Sequence, residues 1–256
     1  MTVGLRLLVG LLLLTLAVTN GIVGMWAYGY YLQLNQTRID PMGMAVYRTE
    51  MASIESKRTE TLRVLFYGDS RAYMWPAPSA QLPQIEFVNR GIGGQTTAQI
   101  LARFDAHASS LQPDLVILQA GINDLKTIPL FPDRRDEIVE NCKKNLAAMV
   151  QRTTEQGATV MVTTIFPTAN PSLVRRPFWS NEVDEAIVEV NAYLATLVGQ
   201  QILLFDSAAQ LAGADGRIRS DYSHDLLHLN DAGYAVLNQA LSEQLRKVDS
   251  RINHVR

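Results

Sequence analysis

Residues Phe66–Trp75 read FYGDSRAYMW, and the apolar run VLFY that begins at Val64 ends abruptly in Gly68-Asp69-Ser70. Val64–Tyr67 is short, β-branched or aromatic and without helical period, which predicts a buried strand with the glycine as its stop. A polar pair is therefore expected at the carboxyl end of a strand. In open α/β sheets that edge is where ligands bind, although a lone Gly-Asp-Ser also occurs as a tight turn whose side chains merely satisfy backbone groups.

The chain of 256 residues is 47% hydrophobic and 19% charged, which is apolar material enough for one large α/β core. Its net charge of −2, with signs mixed, lacks the clustered basic surface of nucleic-acid-binding domains, so no nucleic-acid partner is expected. Cys142 is the only cysteine, which excludes an intrachain disulfide and a paired-cysteine metal site. His107, His224, His228 and His254 form no HExxH or other ligand cluster, so neither a metal nor a cofactor is expected.

The amino terminus differs in kind. From Leu7 to Tyr31 the chain carries no charge, and about 25 residues at 1.5 Å per residue suffice to cross a ~30 Å hydrocarbon layer. Arg6 precedes the run, and Trp26, Tyr28, Tyr30 and Tyr31 gather at its far end, as aromatic side chains do at a membrane interface. This predicts a single-pass helix with the amino terminus inside and the remainder outside the cytoplasm. Ala27-Tyr28-Gly29 would serve as the cleavage site of a signal peptide, but the run is longer than an ordinary signal core and favours an uncleaved anchor. Residues 32–60, with Pro41, Gly43 and scattered charges, read as a tether, and residues 61–256 as the domain it carries.

In that domain short apolar runs alternate with helical patterns, the signature of a parallel sheet flanked by helices. Strands are expected at 62–67, 85–90, 114–120, 158–166 and 202–206. Ile138, Val139, Cys142, Leu146, Met149 and Val150 recur at helical spacing, as do Ala235, Val236, Leu241 and Leu245 in the last segment. No internal repeat is present.

Three further polar groups fall at strand ends. The second strand runs into NRGIGGQTT, residues 89–97, where Gly91, Gly93 and Gly94 let backbone N–H groups point into a cavity. A dinucleotide loop would need glycine or alanine where Thr96 stands. The third strand ends in AGINDLK, which brings Asn123 to the same edge of the sheet. After the fifth strand comes SDYSHDLLHLNDAGY, residues 220–234, with Asp225 and His228 just before the last helix.

Gly-Asp-Ser with Ser70, the glycine loop with Gly94, GIND with Asn123 and DLLH with Asp225 and His228, in this order and over about 62–246, resemble the GDSL-type serine esterases and lipases, also called SGNH hydrolases. The resemblance implies a flavodoxin-like, three-layer α/β/α fold with a five-stranded parallel sheet, and hydrolysis of an acyl ester. In such an enzyme Ser70 attacks the ester, His228 takes the serine proton, and Asp225 holds the imidazole. The backbone N–H groups of Ser70 and Gly94 and the side-chain amide of Asn123 meet the oxyanion. The partners implied are an acyl-ester substrate, such as a lipid, an acylated glycan or a small ester, and a membrane through the amino-terminal helix. Acyl transfer to a glycan hydroxyl would use the same residues, and a non-catalytic binding or assembly module could keep the same fold; nothing in the sequence speaks to oligomeric state. No GxSxG occurs, which excludes the nucleophile elbow of ordinary α/β-hydrolases.

The chain departs from the family at two positions. Gln95 stands where many relatives carry Asp. Arg71 follows the serine where many carry Leu or Ile, and an Arg there either favours an anionic acyl or head group or lies solvated. Spacing also leaves two overlapping Asp-x-x-His pairs, Asp221 with His224 and Asp225 with His228. The following HLNDAGY, in which Asn230 or Asp231 can cap the last helix, selects the second. Ile128, Leu130 and Phe131, in the proline-bounded loop 126–135 after Asn123, are candidates either for an apolar lip or for packing against the domain.

Overall fold

The computed structural model describes residues 2–50 and 61–253, with side chains up to residue 250. The chain forms two compact units, Met1–Ala45 and Val46–Arg256. Of the expected tether, residues 51–60 lie outside the described residues, as does the end of the expected domain at 254–256.

The first unit is one helix, α1, Val3–Ile39, long and apolar enough to serve as a membrane anchor or signal sequence, with none of its residues buried. Its polar side chains close on the helix itself: Thr15 donates to the carbonyl of Leu11, Thr19 to that of Thr15 and Asn20 to that of Leu16, at 2.8–2.9 Å. Each of these bonds pairs a side-chain donor that an apolar medium would leave unsatisfied. The helix runs past Tyr31, where the sequence reading placed the start of the tether. No Pro or Gly interrupts residues 32–39, and Pro41 disfavours helix only from Asp40 onward. The Asp40 carboxylate then accepts the N–H groups of Met44 and Ala45 and turns the chain.

The second unit carries five strands: β1 Arg63–Gly68, β2 Glu86–Gly91, β3 Leu115–Gln119, β4 Thr159–Thr163 and β5 Ile202–Phe205. All pair parallel in the order β2-β1-β3-β4-β5. The helices of this unit follow in chain order: α2 Ser70–Tyr73, α3 Thr97–Ala102, α4 Phe104–His107, α5 Ile122–Leu125, α6 Arg135–Glu155, α7 Asn181–Thr196, α8 Ser207–Leu211 and α9 Asp231–Asn253. Every residue of β1 is buried. Leu65 and Tyr67 face a core completed by α3, α4, α6 and α7, while Val64 and Phe66 face one completed by Trp75, α8 and α9. Burial of alternate side chains on opposite faces is the physical reason VLFY is continuously apolar.

Two expectations need correction. The fourth strand stops at Thr163 rather than at 166: β5 ends at Phe205, whose carbonyl takes the N–H of Thr164, and Ile165 turns its N–H to the side chain of Asn191. In α9 the buried face runs through Tyr234, Leu237, Leu241, Leu245 and Val248; Ala235 is exposed and Val236 half-buried, so the apolar stripe is rotated from the one read in sequence.

Residues ahead of the first strand also belong to this unit. Tyr47 is buried, donates its hydroxyl to the carbonyl of Gly91 at the end of β2, stacks its ring under the Arg90 guanidinium at 4.4 Å and meets His107 edge-on. Glu50 pairs with Arg90 at 3.2 Å.

Candidate active site

From β1 the chain proceeds to β2 on one side and then to β3 on the other, so the strand order reverses between β1 and β3. The crevice outside the carboxyl ends of these two strands is where an open α/β sheet leaves room for a ligand. Ser70 follows β1 and Asn123 follows β3. The turn out of β1 requires Gly68: its φ is +154°, and an added Cβ would stand 1.8 Å from the carbonyl oxygen of Gln119. Asp69 then caps α2 by accepting the N–H of Arg71 at 2.8 Å, and Ser70 is the first residue of that short helix.

Ser70 Oγ stands 2.9 Å from Nε2 of His228. Nδ1 of the same ring lies 2.9 and 3.1 Å from the two carboxylate oxygens of Asp225, which also accepts the N–H groups of Leu227 and His228 at 2.8 Å. Partial burial opposes the charge on Asp225, but the hydrogen bonds from the His228 ring and from the two backbone N–H groups outweigh it and hold the carboxyl down to about 2. An ionised Asp225 accepts the hydrogen bond of Nδ1–H, which keeps the proton on that nitrogen and leaves Nε2 to accept from the serine. The other Asp-x-x-His pair does not form: Asp221 is held by Arg219 at 2.7 Å, and His224 is exposed, donating only its backbone N–H to the carbonyl of His228.

The glycine loop comes close to the serine from the β2 side. Gly91 is pressed against α2, where an added Cβ would meet the backbone nitrogen of Tyr73 at 2.2 Å, and a Cβ on Gly93 would come within 3.9 Å of the Ser70 side chain. At Gly94, with φ +77°, no atom lies within 4 Å of an added Cβ, so this backbone faces open space. Asn123 is buried and donates one amide hydrogen to the carbonyl of Gln95 at 3.0 Å, which joins the third block to the second. Ser70, Gly94, Asn123, Asp225 and His228 are thus gathered at one edge of the sheet.

Several neighbours were not legible beforehand. Arg103 is fully buried and donates to the Gln95 side chain at 2.6 Å, to the carbonyl of Arg90 at 2.9 Å and to that of Gly68 at 2.9 Å. Gln95, in place of Asp, is therefore the partner of a buried arginine. Asp124 accepts the N–H and hydroxyl of Thr97 at 2.8 and 2.7 Å; burial nevertheless pushes its carboxyl up to about 6. Burial also raises Asp69, against the pull of Arg71, Lys126 and His228. Arg71 is not solvated and presents no charge to a ligand, contrary to both readings of the sequence: its side chain is fully buried and donates to the carbonyls of Leu227, Phe166 and Pro167. In the 126–135 loop Ile128 packs in the core, whereas Leu130 and Phe131 are exposed.

Comparison with known proteins follows this geometry. Among curated proteins none matches the chain. A GDSL-like lipase from Bacteroides thetaiotaomicron superposes with a TM-score of 0.63 at 22% identity, covering 81% of this chain and 98% of that one. A candidate acylhydrolase from Bacteroides fragilis reaches a TM-score of 0.66 at 23% identity over 82% and 99% of the two chains. A catalytic mutant of an acetylxylan esterase from Geobacillus stearothermophilus reaches 0.54 at 20% identity over 72% and 94%. At these identities the likeness is one of fold, the three-layer α/β/α arrangement described above. The family profile matches residues 59–236 and is that of the GDSL-like lipases and acylhydrolases. With the greater part of its length matched, from just before β1 to the start of α9, this chain belongs to the GDSL-like lipase/acylhydrolase family and is an esterase of that family.

Proposed function

We propose that this protein is a membrane-anchored serine hydrolase that cleaves carboxylic acyl esters outside the cytoplasm. The observation that carries the reading is the unbroken chain of contacts from Ser70 Oγ to His228 Nε2 and from His228 Nδ1 to Asp225. A serine hydroxyl is a poor nucleophile until a base takes its proton. Ser70 Oγ attacks the ester carbonyl as its proton passes to Nε2 of His228, and Asp225 stabilises the imidazolium. The oxyanion is met by the N–H groups of Ser70 and Gly94 and by the second amide hydrogen of Asn123, whose first is engaged by Gln95. Collapse of the tetrahedral intermediate expels the alcohol, which leaves with the proton from His228. Water then gives a proton to His228 as it attacks the acyl-enzyme, and collapse of the second intermediate releases the acid while His228 returns that proton to Ser70 Oγ.

The substrate is the acyl ester of a lipid, a glycan or a small alcohol. Exposed Leu130 and Phe131, on the loop that follows Asn123, support an apolar lip for the acyl chain. Arg6 ahead of the uncharged run and the aromatic cluster at its end support the orientation with the catalytic unit outside.

The test is fluorophosphonate labelling of the full chain, together with hydrolysis of esters of graded acyl length and of an acetylated xylan. Labelling and turnover are expected in the wild type and both are lost in Ser70→Ala, which removes the nucleophile and little volume. Labelling that survives in Ser70→Ala sinks the assignment.

A further inference from the structure

Arginine is almost never fully buried unless it is paired. Arg71 is nonetheless completely buried in this protein. Its Nε donates to the carbonyl of Leu227 at 2.9 Å, Nη1 to that of Phe166 at 2.9 Å and Nη2 to that of Pro167 at 3.4 Å, and Cζ lies 5.1 Å from the centre of the Phe166 ring. The three acceptors belong to stretches outside the sheet, one after β4 and one before α9, where carbonyls have no strand neighbour and need a partner of another kind.

The carbonyl of Leu227 and the N–H of His228 are the two ends of one peptide group. Arg71 holds the first and Asp225 accepts the second at 2.8 Å, so the plane from which the His228 side chain departs is fixed from both sides. The chain neighbour of Arg71 is Ser70 itself, and the backbone N–H of Arg71 is tied to Asp69 at 2.8 Å. The guanidinium thus joins the turn that carries the serine to the loop that carries the histidine independently of the Ser70–His228 contact itself. We infer that Arg71 is a positioning residue: it straps the His228 loop to the Ser70 turn and keeps the imidazole within proton-transfer distance of the hydroxyl. This inference rests on the reading of Ser70 and His228 as nucleophile and base.

The strap also places a charge. Burial lowers Arg71 to about 10, opposed by Asp69, Tyr234 and Asp225, so it stays cationic at neutral pH. Around it stand Asp69, Asp225, Tyr234 and Lys126, and around the His228 ring stand Ser70, Asp225 and Asp69.

The experiment compares Arg71→Met and Arg71→Lys with the wild type as full-length protein in detergent. Hydrolysis of p-nitrophenyl acetate is followed at one pH, with fluorophosphonate labelling in parallel. Arg71→Met is expected to lower kcat by about 10- to 100-fold with KM changed less than about twofold, the size of a sub-ångström to ångström misplacement of a reacting group. Arg71→Lys keeps the charge but not the fork and should lower kcat by several-fold. Wild-type kcat in a folded Arg71→Met would overturn the inference. Should Arg71→Met fail to fold, Arg71→Lys decides: kcat lowered at constant KM supports the strap, and unchanged kcat overturns it. A wild type that neither labels nor hydrolyses any ester overturns the serine-hydrolase reading instead, a result distinct from an active wild type with an unperturbed Arg71→Met.

Discussion

Asp221 is held by the guanidinium of Arg219 at 2.7 Å, while Asp225, in the second of two overlapping Asp-x-x-His pairs, faces the ring of His228 at 2.9 Å. With His228 the proposed base, His228→Ala should lower kcat by several orders of magnitude, leaving the roughly 10³ to 10⁴ over water that oxyanion donors and binding supply. His224→Ala and Asp221→Asn should stay within a few-fold of wild type. Asp225→Asn should fall between, because the tautomer is no longer enforced. The kcat of the four variants on one chromogenic ester separates these outcomes; a crippled His224→Ala beside a near-normal His228→Ala would move the base upstream.

Asn123 donates one amide hydrogen to the Gln95 carbonyl, and the proposed mechanism assigns the other to the oxyanion. Asn123→Ala should therefore lower kcat by about 10²- to 10³-fold. Asn123→Asp, which replaces the donor by an acceptor, should be no better. Activity within tenfold of wild type in both variants would remove Asn123 from the oxyanion site.

Tyr47 ties residues ahead of β1 to the end of β2, from which the Gly94 loop departs. Tyr47→Phe leaves a buried carbonyl of Gly91 short of a donor, a cost of about 1–3 kcal/mol. In a unit of this size that lowers the unfolding midpoint by roughly 2–4 °C per kcal/mol. A soluble fragment begun at Val46 should likewise melt higher and turn over faster than one begun at Thr61. Equal melting temperatures and equal kcat in the two fragments would show that the tyrosine contributes nothing.

Asp124, raised by burial to about 6 from an ordinary 3.8, holds its proton in the folded protein across a window where the unfolded chain has lost it. Folding then binds more protons than unfolding between about pH 4 and 6, so this group's contribution to stability falls as pH rises through that window and is constant above it. Asp69 acts in the same direction, and Asp225, held at about 2, acts oppositely at lower pH, its contribution fading as pH falls from about 4 towards 2. Thermal melts of wild type and Asp124→Asn should show a midpoint difference that turns against the wild type from pH 4 to 6. A difference independent of pH over that range would refute the assignment.

The run Leu7–Tyr31 of α1, which carries no charge, should keep the protein with membranes after an alkaline carbonate wash, with the protein's carboxyl terminus open to protease added outside the cytoplasm. A soluble product beginning near Tyr30 would show a cleaved signal segment instead.

The sequence by itself determined the parallel sheet and the order of its polar strand ends, because these depend on local properties. VLFY is continuously apolar because β1 is covered on both faces, and Gly68 follows because no side chain fits against Gln119. The apolar run at the amino terminus is equally local. The helix that contains it continues to Ile39, because propensity alone does not mark where a helix stops until Pro41 forces it. What only the tertiary structure decided are relations between residues far apart in the chain. Arg71 looked like a surface charge beside the serine and became a buried strap because its acceptor, the carbonyl of Leu227, lies 156 residues away. Tyr47 looked like part of a tether and became core because Arg90 and His107 close around it. Spacing alone leaves His224 and His228 equal and the following HLNDAGY selects the second; what the fold adds is the distance, setting the His228 ring against Ser70, 158 residues earlier in the chain, and leaving His224 exposed.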